Sequence, residues 1–220
     1  MPRSASTSRS DPSRTALIAA ALDLFGRHGF DAVSTRTIAA AANANIAAIA
    51  YHFGGKEGLR EACAAHLVAL FSGLVERAQG GKADPVSLSQ PEAEAQLLDM
   101  FSTFAGFLAA RPEAEAIARF MVREHLDPSS AFEAVYAGSI HPLHERLTGL
   151  FARASGRDPF EDAVRLAILS LVGSVVYFRL GRPVVLRRLG WADLREPETA
   201  AIIATVRAHV AAIVALHRKG

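Results

Sequence analysis

Residues Ser34 to Leu59 read "STRTIAAAANANIAAIAYHFGGKEGL". Ser34 is a good N-cap for a short helix over Thr35 to Ala42, because a serine hydroxyl can accept from a backbone N–H that has no partner inside the helix. Asn43 and Ala44 make a tight break. Asn45 offers a second N-cap, for a helix ending near Phe53. Gly54 and Gly55 suit a left-handed C-cap and a turn, and a long helix restarts at Lys56. Two short helices around a tight turn have helix–turn–helix geometry. In the second, the 3.6-residue period places Ile46, Ile49 and Phe53 on one side, packed towards Ile38, Ala41 and Leu24. The other side carries Asn45, Ala48, Tyr51 and His52.

That outward side is slim. Alanines allow a helix to come close to base edges in a major groove, and a methyl group can touch thymine. Tyr51 and His52 can hydrogen-bond phosphate oxygens. Lys56, at a helix start, brings its charge to free backbone N–H groups that favour a phosphate. Thr35 and Arg36 open the first motif helix, also in reach of backbone or bases. Spacing alone leaves a generic helical hairpin as an equal reading.

The flanking sequence extends the helical pattern. From Arg14 a helix runs to Gly29, with Leu17, Ala21, Leu24 and Phe25 on one apolar face. Lys56 to Ala78 carries a stripe of Leu59, Ala62, Cys63, His66, Leu67, Leu70, Phe71 and Leu74. Gly80 to Pro91 reads as a loop. Further helices follow over Pro91 to Arg111, Pro112 to Asp127, Ser129 to Ala154 with a kink at Pro142, 160–179, a short piece at Val184 to Leu189, and Pro197 to His217. No strand-like alternation or internal repeat stands out, so the fold class is all-α. Three regions are expected: a disordered basic arm over 1–12, a helix–turn–helix domain over 13–60, and a larger helical domain over 61–220, which the resemblance given below implies is for ligand binding and dimerisation.

Composition narrows the function classes. The net charge of +2 is uneven: residues 1–60 hold seven Lys/Arg against four Asp/Glu, or +3, which leaves −1 for the remainder. A mildly basic end is compatible with an anionic partner. One cysteine, Cys63, allows no internal disulfide and no thiolate metal cluster, which fits a reducing cytoplasm. No signal peptide is visible. The longest uncharged apolar run, Leu166 to Phe178, is shorter than the ~20 residues that span a bilayer, so it is expected as a buried or dimer-facing helix and no membrane partner is expected. His141 and His144, three apart, match no metalloprotease order, and Pro142 disturbs their helix. No nucleophile elbow and no phosphate-cradling glycine loop appears. No metal site, cofactor or catalytic residue is expected.

The quoted stretch resembles the DNA-binding signature of the TetR family of bacterial transcriptional regulators: Thr-x-x-x-Ile-Ala, a turn, a short helix ending in Tyr-x-His-Phe, then x-x-Lys-x-x-Leu. Ile18 to Ser34, "IAAALDLFGRHGFDAVS", is similar to the family's first helix. The resemblance covers about 45 residues. It departs where Asn43 replaces a common Gly, Ala48 a common Ser or Thr, and Ala50 a common Tyr; loss of the hydroxyl at Ala48 removes one family phosphate contact. Phe120 to Phe151 echoes the C-terminal domain of a CecR (YbiH)-like subgroup. The resemblance implies a cytoplasmic homodimer, paired through helices near 160–179 and 197–217, that binds double-stranded operator DNA. It also implies an unidentified small-molecule effector in the C-terminal domain, whose binding releases a repressor from DNA. The expected effector pocket draws on Phe101, Phe104, Phe120, Met121 and Tyr136, with Met100, Phe107 and Phe178 as further candidates. The polar set Arg123, Glu124, His125, His141 and His144 lies nearby in sequence, with Arg123, His125 and His141 as pocket candidates.

Overall fold

The computed structural model describes residues 12–79 and 84–218. Eleven α-helices occupy these segments: α1 Pro12–His28, α2 Thr35–Ala41, α3 Ala47–Phe53, α4 Lys56–Gln79, α5 Gln90–Ala110, α6 Glu113–Leu126, α7 Ser130–Val135, α8 His141–Ser155, α9 Asp162–Leu180, α10 Arg182–Leu189 and α11 Glu196–His217. Among the described residues there is no strand. The basic arm expected over 1–12 lies outside the described residues except for Pro12, which opens α1.

Local chemistry sets the boundaries. Ser34 caps α2, its hydroxyl accepting from the Thr37 backbone N–H at 3.1 Å. Ser89 and Glu92 form a reciprocal capping box at α5, and Ser129 caps α7. Gly29 (φ 85°) and Gly54 (φ 73°) end α1 and α3 in the left-handed region. Asn43 holds the motif turn at φ 49°. Asparagine tolerates this conformation better than other side chains, so it can stand where the family usually has glycine.

The single helix expected over Ser129 to Ala154 is in fact α7 and α8 joined by a π-helical segment, Tyr136–Ile140. Pro142 has no N–H to donate and its ring crowds the carbonyl of Gly138. The preceding turn widens instead, with the His141 N–H donating to the Tyr136 carbonyl. Gly138 also rests on α4, where a Cβ would sit 2.9 Å from Val68 Cγ2.

The core is continuous. Leu17, Phe25, Ile38, Ile49, Leu59 and Leu67 are buried in the N-terminal third, and Leu97, Phe101, Phe120, Phe151, Ile168 and Leu171 in the remainder. On α4, the stripe from Leu59 to Leu67 is fully buried, but His66 is exposed. Helical phase puts His66 close to Leu59, but at the solvent edge of the stripe, where it is exposed yet covered enough for burial to lower its pKa. Buried Arg179 donates to the carbonyls of Leu108 (2.5 Å) and Arg111 (2.9 Å), placing a cation at the C-terminus of α5.

Three helices, 56–78, 162–180 and 196–217, are long and apolar enough by length and composition to cross a membrane. Helix-length windows tolerate the few charges that interrupted the apolar run in the sequence reading. In α9 and α11 the apolar residues divide between an inner face on the core and an outer one. Leu166, Leu169, Tyr177 and Leu180 are exposed on α9, as are Ala201, Ala204, Ala208, Ala212 and Ala215 on α11.

Candidate nucleic-acid interface

The N-terminal helices present one polar surface. Thr35 is half-buried at the start of α2, and Arg36 is exposed beside it. Thr37 is exposed too, its hydroxyl 2.8 Å from that of Ser34. Asn45 precedes α3, and its side-chain oxygen accepts from the Ala47 N–H at 2.9 Å. Tyr51 is 84% exposed. His52 is half-buried, with its ring centroid 4.9 Å from that of Tyr51 and 5.9 Å from that of Phe53. Phe53 anchors the end of α3 to the core, and the Arg14 guanidinium lies 5.4 Å from its ring.

Lys56 begins α4 with its ammonium 4.2 Å from the centre of the Phe30 ring, and the Arg60 guanidinium lies 4.6 Å from the same centre. One aromatic ring thus holds two cations close to the end of α3.

Two residues of α3 sit opposite to expectation. Ile46 is 48% exposed, whereas Ala48 is half-buried against the core beside fully buried Ile49. Ile46 has helical dihedrals (φ −56°, ψ −33°) and lies on the side of Ile49 and Phe53, but at the N-terminal end of α3, where it is left half exposed. Ala48 is corrected from the outward side to the packing side. The exposed small residues are Ala47 and Ala50. The Asn45 side chain accepts from the N–H two residues on, the N-cap bond expected of it.

The second candidate region holds a cleft of about 40 Å³. Phe71, Leu74, Val75 and Ala78 of α4 form one wall, Met100, Phe101, Thr103 and Phe104 of α5 another, and Leu143, Leu147 and Val172 the remainder. The Thr103 hydroxyl is the one polar side-chain group in this lining. Of the eight expected pocket residues the structure brings Phe101 and Phe104 here. Phe120 is buried at the packing of α6 on α1, and Met121 is half-buried on α6. His125, Phe132, Tyr136 and His141 form a row of rings along the outside of α6 to α8, with neighbouring centroids 5.1, 6.0 and 5.9 Å apart.

Arg123 is occupied elsewhere. Its guanidinium donates to the carbonyls of Gly26 and Arg27 at 2.8 Å each, at the C-terminus of α1. Next to it, buried Glu124 accepts from Arg60 at 2.8 Å and from the Ser129 hydroxyl at 2.5 Å. Gly26 permits the close approach of α1 and α6, since a Cβ there would meet Arg119 Cβ and the Phe120 N at 2.9 Å. These residues fasten the N-terminal helices to the rest of the chain. His144 is half-buried beside the cleft, and burial first, then His141, lowers its pKa. Among the described residues no group of three His, Cys, Asp or Glu side chains could hold a metal ion.

Comparisons with known proteins agree with this geometry. Residues 17–63 match the profile described as bacterial regulatory proteins, tetR family, and residues 93–215 match the C-terminal domain of the HTH-type transcriptional dual regulator CecR. The chain belongs to the TetR family of DNA-binding transcriptional regulators, in the group that carries the CecR C-terminal domain, and is not an enzyme. It is 36% identical over 209 residues to CecR of Shigella flexneri, covering 94% of this chain and 93% of that one. It is 28% identical to the transcriptional regulatory protein RaaS of Mycobacterium tuberculosis, covering 73% and 69%. A TetR-like regulator from Rhodococcus sp. RHA1 shares the fold, with a TM-score of 0.65 at 19% identity over 98% of both chains.

Proposed function

We propose that this regulator is a cytoplasmic homodimeric repressor that leaves its operator when a small apolar molecule enters the cleft between α4, α5 and α8. The observation that carries the reading is the double use of α4. Its first turns seat Lys56 and Arg60 beside the helix–turn–helix, and its last turns form one wall of the cleft. Anything that moves the upper half of α4 therefore bears on the DNA-reading end. This reading divides the chain into a DNA-binding domain over 13–60 and an effector and dimerisation domain over 61–220, with α4 running across the boundary.

The effector chemistry follows from the lining. A cleft of about 40 Å³ is far smaller than the ~300–1,000 Å³ of drug-sized sites. The effector widens it on entry, displacing half-buried Phe71 and Phe104. A lining with one hydroxyl favours an uncharged molecule. The DNA contacts proposed are Thr35, Arg36, Asn45, Tyr51, His52 and Lys56. The outer faces of α9 and α11 are the dimer surface. On α9, Leu166, Leu169, Gly173, Tyr177 and Leu180 repeat at intervals of three and four, the spacing of a helix-pairing seam.

Run-off transcription from the promoter ahead of this chain's own gene tests the switch. Added protein should lower transcript, and apolar compounds that relieve repression should fail against Thr103→Trp, which fills the cleft. Transcript that rises with added protein would contradict the repressor reading. Relief that persists in Thr103→Trp would contradict the cleft.

A further inference from the structure

The geometry points to Ile46 as the specificity residue of the DNA-reading helix, recognising the C5 methyl of thymine in each operator half-site. The inference rests on the DNA-binding reading and adds to it what the helix reads. Ile46 is 48% exposed, directly before the first turn of α3. A helix–turn–helix brings the N-terminal residues of its second helix against base edges. Exposing a β-branched apolar side chain there has no explanation in the packing of the free protein, because Ile49 and Phe53 already fix α3 to the core.

The rest of the reading end sharpens the chemistry. Ala47 and Ala50 are exposed on α3 and offer only methyl groups. The Asn45 side-chain oxygen is engaged by the Ala47 N–H. Tyr51 is the exposed hydrogen-bonding side chain further along the helix. The patch of Ile46, Ala47 and Ala50 has no donor or acceptor for guanine or adenine, a reading left to polar side chains such as Arg36 and Tyr51. In the major groove the one apolar feature of a base edge is the thymine methyl. Burying it against Ile46 removes apolar area from water on both partners, worth about fourfold in affinity per methyl at ~0.8 kcal/mol. An operator read this way has thymine at a fixed place in each half-site.

Duplexes selected from a random library by the full-length protein supply the probe. Each thymine of the enriched half-site is then replaced in turn by deoxyuridine, which removes the methyl and leaves every hydrogen-bonding group in place. Affinity is read by fluorescence anisotropy. Wild type should lose about fourfold at one position per half-site, or about sixteenfold when both half-sites are substituted. Ile46→Ala should bind the thymine duplex as weakly as wild type binds the uracil duplex, and should no longer distinguish the two. Because Ile46 is exposed and outside the core, the variant should keep the melting temperature of wild type. A selected duplex that tolerates uracil at every position would overturn the inference while leaving DNA binding intact. So would Ile46→Ala keeping the full uracil penalty. Failure to enrich any duplex would overturn the DNA-binding reading itself and this inference with it.

Discussion

Tyr51 and Lys56 carry different parts of the proposed interface. Tyr51 projects from α3 with only the edge of the His52 ring against it, so Tyr51→Ala removes the proposed contact to DNA and little packing. Lys56 contributes charge beside the helix start. We expect each alanine variant to bind operator about tenfold more weakly with an unchanged melting temperature, and Lys56→Ala to lower the salt dependence by about one phosphate contact per half-site. Normal binding by both would place the docking face elsewhere. Cys63 is a contrasting residue, buried in the core with its thiol donating to the Ile18 carbonyl at 3.8 Å. Burial, and then the Glu124 carboxylate, push its thiol up from 9.0 to about 12. A group whose folded pKa is raised contributes stability that is complete below pH 9 and is lost as pH rises towards 12. Iodoacetamide at pH 8 should therefore alkylate Cys63 slowly in the folded protein and quickly in urea. Rapid labelling of the folded protein would contradict the burial.

At the scale of elements, the coupling between the reading head and the body lies in α1, α4 and α6. Arg60→Ala would leave Glu124 buried without its cation, a loss of about 3–5 kcal/mol for a pair of this kind. Ser129 still donates to that carboxylate, so the lower end is expected in urea titration. Gly26→Leu should be equally damaging, because α1 and α6 touch where the side chain would grow. Wild-type stability in both would show that the head is not held through this contact.

These couplings also show what the sequence made legible. The Ser34 cap, the paired glycines after Phe53 and the apolar period of α1 are local signals, and their elements stand where expected. Ile46 and Ala48 were misplaced because spacing gives a residue's angle around a helix and not what packs against it: Ile46 lies at the end of α3 and stays half exposed, and Ala48 lies at the edge of its packed side. The pocket was less legible still. Arg123 and Glu124 look like ligand groups in a list of polar residues. Only the approach of α6 to α1 and α4 shows that Arg123 is consumed in holding α1 and Glu124 in holding Arg60 of α4. The π-helical turn before Pro142 is likewise a compromise between a proline and a helix that continues through it.

For the whole molecule, the outer faces of α9 and α11 expose Leu166, Leu169, Tyr177 and Leu180 to solvent. In the proposed homodimer a second copy would cover them and place two reading heads on two half-sites. Sedimentation should give a dimer, and Leu169→Glu should give a folded monomer that has lost high-affinity operator binding. A monomeric wild type would remove the seam from the account. The central claim is that this fold reads a DNA sequence. It is tested most directly by anisotropy of the full-length protein on the DNA upstream of its own gene, against scrambled DNA, at two salt concentrations. Tight binding to the first alone, weakening steeply as salt rises, is the result predicted. Equal and weak binding to both, unchanged by salt, together with no fragment enriched from the genome, would contradict it.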